Sequence, residues 1–389
     1  MSLAPADVFF VAGEASGDLE ASLLAKALVA LQPESRVAAV GGHSLRTAGA
    51  AVVYDSTELA SLGPLSVIPK LPLLYGILCW LDTRLRRQPP RLLVPVDAGG
   101  FNLPLLRRLR RHGYDGTVLY YFPPGAWVDN ERQARAVAAH ALALTPFTHQ
   151  RDFYRRLGLP IEHFGHPLVS VIAARTPEEA AAATSESASP LIAILPGSRQ
   201  EEVARFLPTL ARAAQRMRAA SRARFIIVAS SGARAAQIAA LWPRFAGPQD
   251  AQIERTPAVD VVKRAQLAWT ASGTAVLETA LCAVPQVAFY AISRMQYRIA
   301  RRKVPAHLMR TITLPNLVLG RLIVPELLQS DFTPDNLVKE SLQLVEDQTV
   351  VSRQLDGYAE LRAALGPNDA LQQIAAFVSS VLQRSPARA

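Results

Sequence analysis

Short apolar runs alternate along this chain with longer segments of helical spacing. Residues 8–12, 36–40, 92–96, 117–122 and 141–144 are β-rich runs that end in Gly, Asp, Pro or Thr, and helical patterns cover 19–31 and 103–112. Near-continuous apolar strands separated by helices predict a parallel, doubly wound sheet covered on both faces. The pattern pauses over the polar, Ala/Ser-rich stretch 175–190, then restarts with 191–195, 225–229, 267–270 and 286–290. The expected fold class is α/β, with two doubly wound Rossmann-like domains facing a cleft. Their expected bounds are 1–175 and 190–345. Helices are expected from about Pro334, and a C-terminal helical segment over 346–389 should pack back across the joint. Residues 383–389 read as frayed.

Composition narrows the class without naming a chemistry. A chain of 389 residues fits two domains, and a composition 50% hydrophobic and 19% charged excludes wholesale disorder. Cys79 and Cys282 lie far apart in apolar sequence, so neither a disulfide framework nor a metal spacing follows, and a reducing cytoplasm is the simplest setting. Residues 1–7 lack the basic region and apolar core of a signal peptide. The net charge is +10, and only five of the 42 basic residues are lysine. Arg84, Arg86, Arg87 and Arg91 directly follow the apolar run 62–81, which includes Leu74, Ile77 and Trp80. Pro64, Pro69, Lys70 and Pro72 make that run a poor transmembrane helix. An element lying on an anionic membrane surface is expected instead, with ordinary core packing and a solvated basic face as the competing explanation. Nucleic acid is not expected, because the basic residues are not interleaved with aromatics.

The strand ends carry the chemistry. Ala271-Ser272-Gly273-Thr274-Ala275-Val276-Leu277-Glu278 reads as strand, small-residue loop and helix. Its exposed N–H groups suit a phosphate, and Glu278, one turn into the helix, can accept from a ribose diol. A plain strand–helix junction gives the same pattern. Gly13-Glu14-Ala15-Ser16-Gly17-Asp18 matches neither phosphate-loop fingerprint, and Ser16 or Asp18 could be a simple N-cap. Asp97 ends an apolar strand before Gly99 and Gly100, where desolvation suits a general base. Arg199, in Pro196-Gly197-Ser198-Arg199, could clamp a diphosphate. Asn316 offers an amide after Pro315, and His166 follows an apparent strand, where it could meet a phosphate or cap the joint.

Taken in order, these segments resemble lipid-A-disaccharide synthase, a membrane-associated glycosyltransferase of GT-B architecture. The carrying residues are Val11–Asp18, Val96-Asp97-Ala98 with Phe101-Asn102, Phe164-Gly165-His166-Pro167, Leu195–Arg199 with Glu202-Val203, Ala271–Glu278, and Leu314–Leu317 with Pro325–Gln329. The resemblance implies transfer of a sugar from UDP-2,3-diacylglucosamine to 2,3-diacylglucosamine 1-phosphate (lipid X), with inversion and release of UDP. It implies Asp97 as base. Arg199, Ser272, Gly273, Thr274, Glu278 and Asn316 match donor-site positions, and Ser16, with Glu14, Asp18 and His166 near it in role, belongs to the active-site loops. No cofactor and no metal are implied, since the UDP-sugar is a substrate. A peripheral place on the cytoplasmic face of the inner membrane is implied, and a homo-oligomer is compatible with it. Two departures stand out. Gly100 replaces a usual second acid, and Pro123–Asn130 keeps Trp127 but lacks the family's second Trp and Arg. A relative using another lipid acceptor, or one that only binds nucleotide or lipid, therefore stays open.

Overall fold

The computed structural model describes residues 6–56, 71–127, 129–174, 189–303 and 311–385. The joint stretch 175–188, the first part of the apolar run (62–70) and the last four residues lie outside them. Two units divide the chain: residues 1–171 with 365–389, and 172–364. Both are α/β.

The first unit runs β1 (Val8–Ala12), α1 (Ala15–Leu31), β2 (Val37–Gly41), α2 (His43–Thr47), β3 (Ala51–Asp55), α3 (Leu71–Arg87), β4 (Leu92–Val96) and α4 (Gly99–Arg111). It continues with β5 (Thr117–Tyr121), α5 (Glu131–Ala138), β6 (Leu142–Thr145), α6 (Thr148–Arg156), β7 (Ile161–His163) and α7 (Pro167–Ala173). The seven strands are parallel, in the order β3-β2-β1-β4-β5-β6-β7. Every residue of β1, β2 and β4 is buried, as apolar strands with helices on both faces require.

The second unit repeats the plan. Its elements are β8 (Leu191–Leu195), α8 (Gln200–Ser221), β9 (Arg224–Val228), α9 (Gly232–Leu241), β10 (Gln252–Glu254), α10 (Ala258–Val262), β11 (Leu267–Ala271) and α11 (Thr274–Leu281). Then come β12 (Gln286–Tyr290), α12 (Arg294–Lys303), α13 (Leu314–Leu319), β13 (Glu326–Leu328), α14 (Pro334–Glu346) and α15 (Gln348–Leu365). The parallel order is β10-β9-β8-β11-β12-β13. Trp269 is fully buried in this core, and its indole N–H donates to Ser341 Oγ of α14 at 2.8 Å.

Residues 346–389 do not stay together. α15 belongs to the second unit, while the last helix, α16 (Ala370–Arg384), packs on α1 in the first. Ile374, Val378 and Leu382 recur every four residues, so they form one stripe, buried in the same core as Leu24 and Leu28. Arg91 fixes the end of α16 by donating to the carbonyls of Leu382 (2.9 Å) and Ser385 (3.3 Å), where a helix C-terminus favours a cation. Burial of three aliphatic side chains at about 1.5–3 kcal/mol each holds this helix down. A Val378→Asp change would break it.

Candidate functional site

In each sheet the chain reverses its winding at one place. In the first unit that place lies between β1 and β4, and in the second between β8 and β11. Loops leaving two adjacent strands for opposite faces open a crevice at the carboxyl edge, the usual ligand position in doubly wound folds. Asp97 and the Gly13–Asp18 loop fall at the first reversal; Arg199 and Ser272–Thr274 fall at the second.

The first reversal is tightly built. Asp97 and Ala98 both take left-handed backbone, at φ 45° and 44°, which is strained for residues other than glycine. Three contacts hold them there. The Asp97 N–H donates to the Tyr121 carbonyl at 3.1 Å, and its own carbonyl accepts from Tyr120 Oη at 2.7 Å and Asn102 Nδ2 at 2.9 Å. Asn102 is fully buried and also donates to the carbonyls of Val11 and Val96, so one side chain ties the ends of β1 and β4. Gly13 is needed here, since a Cβ on it would sit 2.8 Å from Ala98 Cβ. The turn holds Asp97 at the carboxyl end of β4. Burial first, and the neighbouring Glu14 second, push its pKa up to about 6, against a smaller opposing pull from the Ala98 N–H.

Other sequence candidates in this unit have different duties. Asp18 is 3% exposed, and its carboxylate accepts from the N–H groups of Gly42 (2.6 Å), Ser44 (2.8 Å) and Leu45 (3.3 Å). It caps α2 rather than its own helix, and those three bonds occupy it. Ser16 is partly exposed in the first turn of α1. His166 is buried, its Nδ1 accepts from Leu168 N–H at 3.3 Å, and Phe122 and Phe147 pack against the ring. Burial lowers its pKa to about 3, so it is a neutral imidazole and no cationic phosphate ligand. Gly100 faces open space. In the altered segment, Trp127 packs on Phe147 and stacks with His149, and Gln150 Nε2 holds the Pro123 carbonyl at 2.9 Å.

At the second reversal, Arg199 is the N-cap of α8 and is partly exposed. Its Nη1 pairs with Glu202 Oε1 at 3.1 Å, and Tyr290 Oη donates to the same oxygen at 3.4 Å. Gly197, at φ +97°, lies against Glu202 and Ala271, so the loops after β8 and β11 are neighbours. Ser272 N–H still pairs with Phe289 O at 2.9 Å; beyond it Gly273 is exposed and extended, and α11 begins at Thr274. Glu278 is half-buried one turn further on. Asn316 is a correction. It is 1% exposed, its N–H groups donate to Val324 O and Glu326 Oε1, and its Oδ1 accepts from Ile323 and Val324 N–H. That uses the whole capacity of the amide, so Asn316 shapes the 311–326 segment and has nothing left for a nucleotide.

The apolar, arginine-flanked run becomes α3 in its described part. Leu71, Leu73, Tyr75 and Trp80 are 41–63% exposed, whereas Ile77 is buried, so Ile77 leaves the expected membrane-facing set and Leu74 is only half-exposed. Arg86 is exposed yet held to the protein, pairing with the buried Asp82 at 3.3 Å, alongside Arg108 (3.1 Å) and His112 (2.8 Å). Burial would raise the Asp82 pKa, but these three donors together hold it below the usual value. Arg87 is exposed and Arg84 half-exposed, and neither is tied to Asp82 in this way. No described helix is long and apolar enough to cross a membrane. Among the described residues no group of His, Cys, Asp or Glu could hold a metal ion.

Tyr120 and Tyr290 join these sites without a signal of their own in the sequence. Both tyrosines sit in apolar strands, where a hydroxyl that will reach a loop leaves no separate mark.

Solved structures share the plan of two doubly wound units. A UDP-GlcNAc 2-epimerase from Neisseria meningitidis, solved with UDP-GlcNAc, is similar at TM-score 0.63 and 13% identity, covering 96% of this chain and 99% of that one. The calicheamicin glycosyltransferase CalG4 is similar at TM-score 0.59 and 15% identity, covering 99% and 100%. Identities this low speak for fold alone. Sequence is more specific. The family model for lipid-A-disaccharide synthetase matches residues 8–377. Lipid-A-disaccharide synthases of Anaeromyxobacter dehalogenans (34% identity, 97% of each chain) and Myxococcus xanthus (32%, 97% and 98%) are similar over nearly their whole length. The chain belongs to the lipid-A-disaccharide synthetase family, and it is a glycosyltransferase with a role in lipid A assembly.

Proposed function

We propose that the protein transfers 2,3-diacylglucosamine from its UDP conjugate to the 6-hydroxyl of 2,3-diacylglucosamine 1-phosphate, with inversion. In this reading the acceptor oxygen attacks the anomeric carbon, the bond from that carbon to the UDP oxygen breaks, and the hydroxyl proton passes to Asp97. Arg199 and the N–H groups at the start of α11 meet the charge that develops on the departing diphosphate, and Glu278 accepts from the ribose. No covalent intermediate is needed. The observation that carries the reading is the Asp97 carboxyl, fixed on a strained turn at a winding reversal, with a pKa raised to about 6. A base works best with a pKa near the working pH.

The acyl chains of both substrates would stay in a bilayer at the cytoplasmic face of the inner membrane. The exposed Leu71, Leu73, Tyr75 and Trp80 of α3, with Arg84 and Arg87, support a peripheral contact there. Purified protein given UDP-2,3-diacylglucosamine and lipid X, with products identified by mass spectrometry, tests the reaction. A β-1,6 disaccharide 1-phosphate plus UDP is expected. UDP release with a different lipid product would reassign the acceptor, and no turnover would remove the proposal.

A further inference from the structure

No Asp or Glu occurs between Glu278 and Glu326, and within that interval the ten-residue helix α12 carries Arg294, Arg298, Arg301, Arg302 and Lys303. Five positive charges there equal half of the chain's net charge of +10. Arg294 and Arg298 are exposed, and between them Met295 is 57% exposed. α12 starts just past the carboxyl end of β12, whose parallel neighbour β11 ends in the Ser272–Thr274 loop. The helix therefore leaves the same edge of the sheet as the proposed donor loop.

We infer that α12 is an anionic-lipid contact belonging to the second unit, separate from α3 in the first. The argument rests on charge and on place. A helix with this density of like charge repels itself unless an anionic surface neutralises it, and arginines beside an exposed methionine suit headgroups with acyl tails beneath. Nucleic acid fits less well, because no aromatic platform accompanies the basic residues in α12 beyond Tyr297. The inference builds on the proposed use of a membrane-held donor. A diacyl nucleotide sugar drawn from a bilayer has to arrive at this edge, and α12 would hold the edge at the headgroups.

The test uses the full chain and two sets of vesicles, phosphatidylcholine alone and phosphatidylcholine containing phosphatidylglycerol, with binding read by co-sedimentation. Arg294→Gln with Arg298→Gln should weaken partitioning onto the anionic vesicles by roughly 30-fold, as two neutralised charges near such a surface predict. Binding to neutral vesicles and UDP affinity by calorimetry should stay unchanged. Arg294→Lys with Arg298→Lys keeps the charge and should restore partitioning, which separates the effect from misfolding. Unchanged partitioning of the glutamine pair, or an equal loss of UDP affinity, overturns the inference. Leu73→Ser with Trp80→Ser in α3 is the parallel arm. If it lowers binding while the α12 pair does not, this inference fails and the membrane reading stands; if wild-type protein ignores both kinds of vesicle, both fail.

Discussion

Tyr120 Oη donates to the main-chain carbonyl of Asp97 at 2.7 Å, so a side chain from the neighbouring strand β5 fixes the backbone of the turn that follows β4. Together with Asn102 it stabilises two consecutive left-handed residues that would otherwise relax, at about 1–2 kcal/mol each. Tyr120 is thus a positioning residue for the proposed base. Tyr120→Phe should lower kcat roughly 10-fold or more, with UDP affinity unchanged and the fold intact, since the ring stays and only the hydroxyl goes. If kcat and the donor KM both stay at wild-type values, the hydroxyl only satisfies the local backbone.

The raised pKa of Asp97 links rate and stability with opposite signs. The base works as a carboxylate, so activity should fall as pH drops through about 6. The folded-state pKa lies above the ordinary carboxylate value of 3.8, so the fold binds a proton that the unfolded chain has already released. Stability from this group is therefore present at low pH and declines as pH rises from about 4 towards 6. Asp97→Asn removes the buried charge and keeps a residue type tolerant of left-handed backbone. It should cut kcat by about 10²–10⁴ while stabilising the protein near neutral pH by on the order of 1–3 kcal/mol. A thermal melt and a single-turnover assay on one preparation check both, and a near-wild-type rate would take Asp97 out of the mechanism.

Glu278 and Asn316 come from similar-looking motifs, yet the structure separates them. Asn316→Ala leaves the N–H groups of Ile323 and Val324 without their partner in a buried place, while Glu326 keeps its donors from Ile312 and Thr313, so it should destabilise by roughly 2–4 kcal/mol. UDP affinity of the folded fraction should hold. Glu278→Ala should instead weaken UDP binding, by about 10- to 100-fold in the folded protein. Calorimetry beside chemical denaturation distinguishes them, and the opposite assignment of effects would restore Asn316 as a nucleotide ligand.

The strands of both sheet centres were legible because parallel strands buried on two faces are unbroken apolar runs. Residues 8–12, 92–96, 191–195 and 286–290 agree residue for residue with β1, β4, β8 and β12. Edge strands were not. β3 has no buried residue, being exposed at both ends and half-exposed between, and β7, β10 and β13 have three residues each, too few for a pattern to rise above the loops around them. Strand-end loops pointed to Asp97, Arg199 and Ser272–Thr274, because Gly and small polar residues there mark a winding reversal. Asp18 and Asn316 were legible as polar residues in such loops, but whether a polar side chain faces a ligand or neighbouring N–H groups depends on contacts far along the chain. Ile77 shows the same limit within one helix, where an apolar run gives no sign of which stripe faces inward.

Gly100 offers a final test, because it stands where the resembled family usually carries an acid. It lies in the first turn of α4 with no positive φ, and a Cβ there would meet nothing within 4 Å. Gly100→Asp should therefore fold as well as the wild type. A side chain in place of glycine within a helix and a negative charge at its N-terminus both favour it, by up to about 1 kcal/mol each. The new carboxylate would stand three residues from Asp97 and disfavour its charged form, so the acidic limb of the pH–rate profile should move above 6. If the second acid instead orients an acceptor, the variant should lower the acceptor KM at pH 8, where both carboxylates are charged. A variant with unchanged melting, pH limb and acceptor KM would show that position 100 is outside the site, and that its glycine departs from the family pattern without consequence.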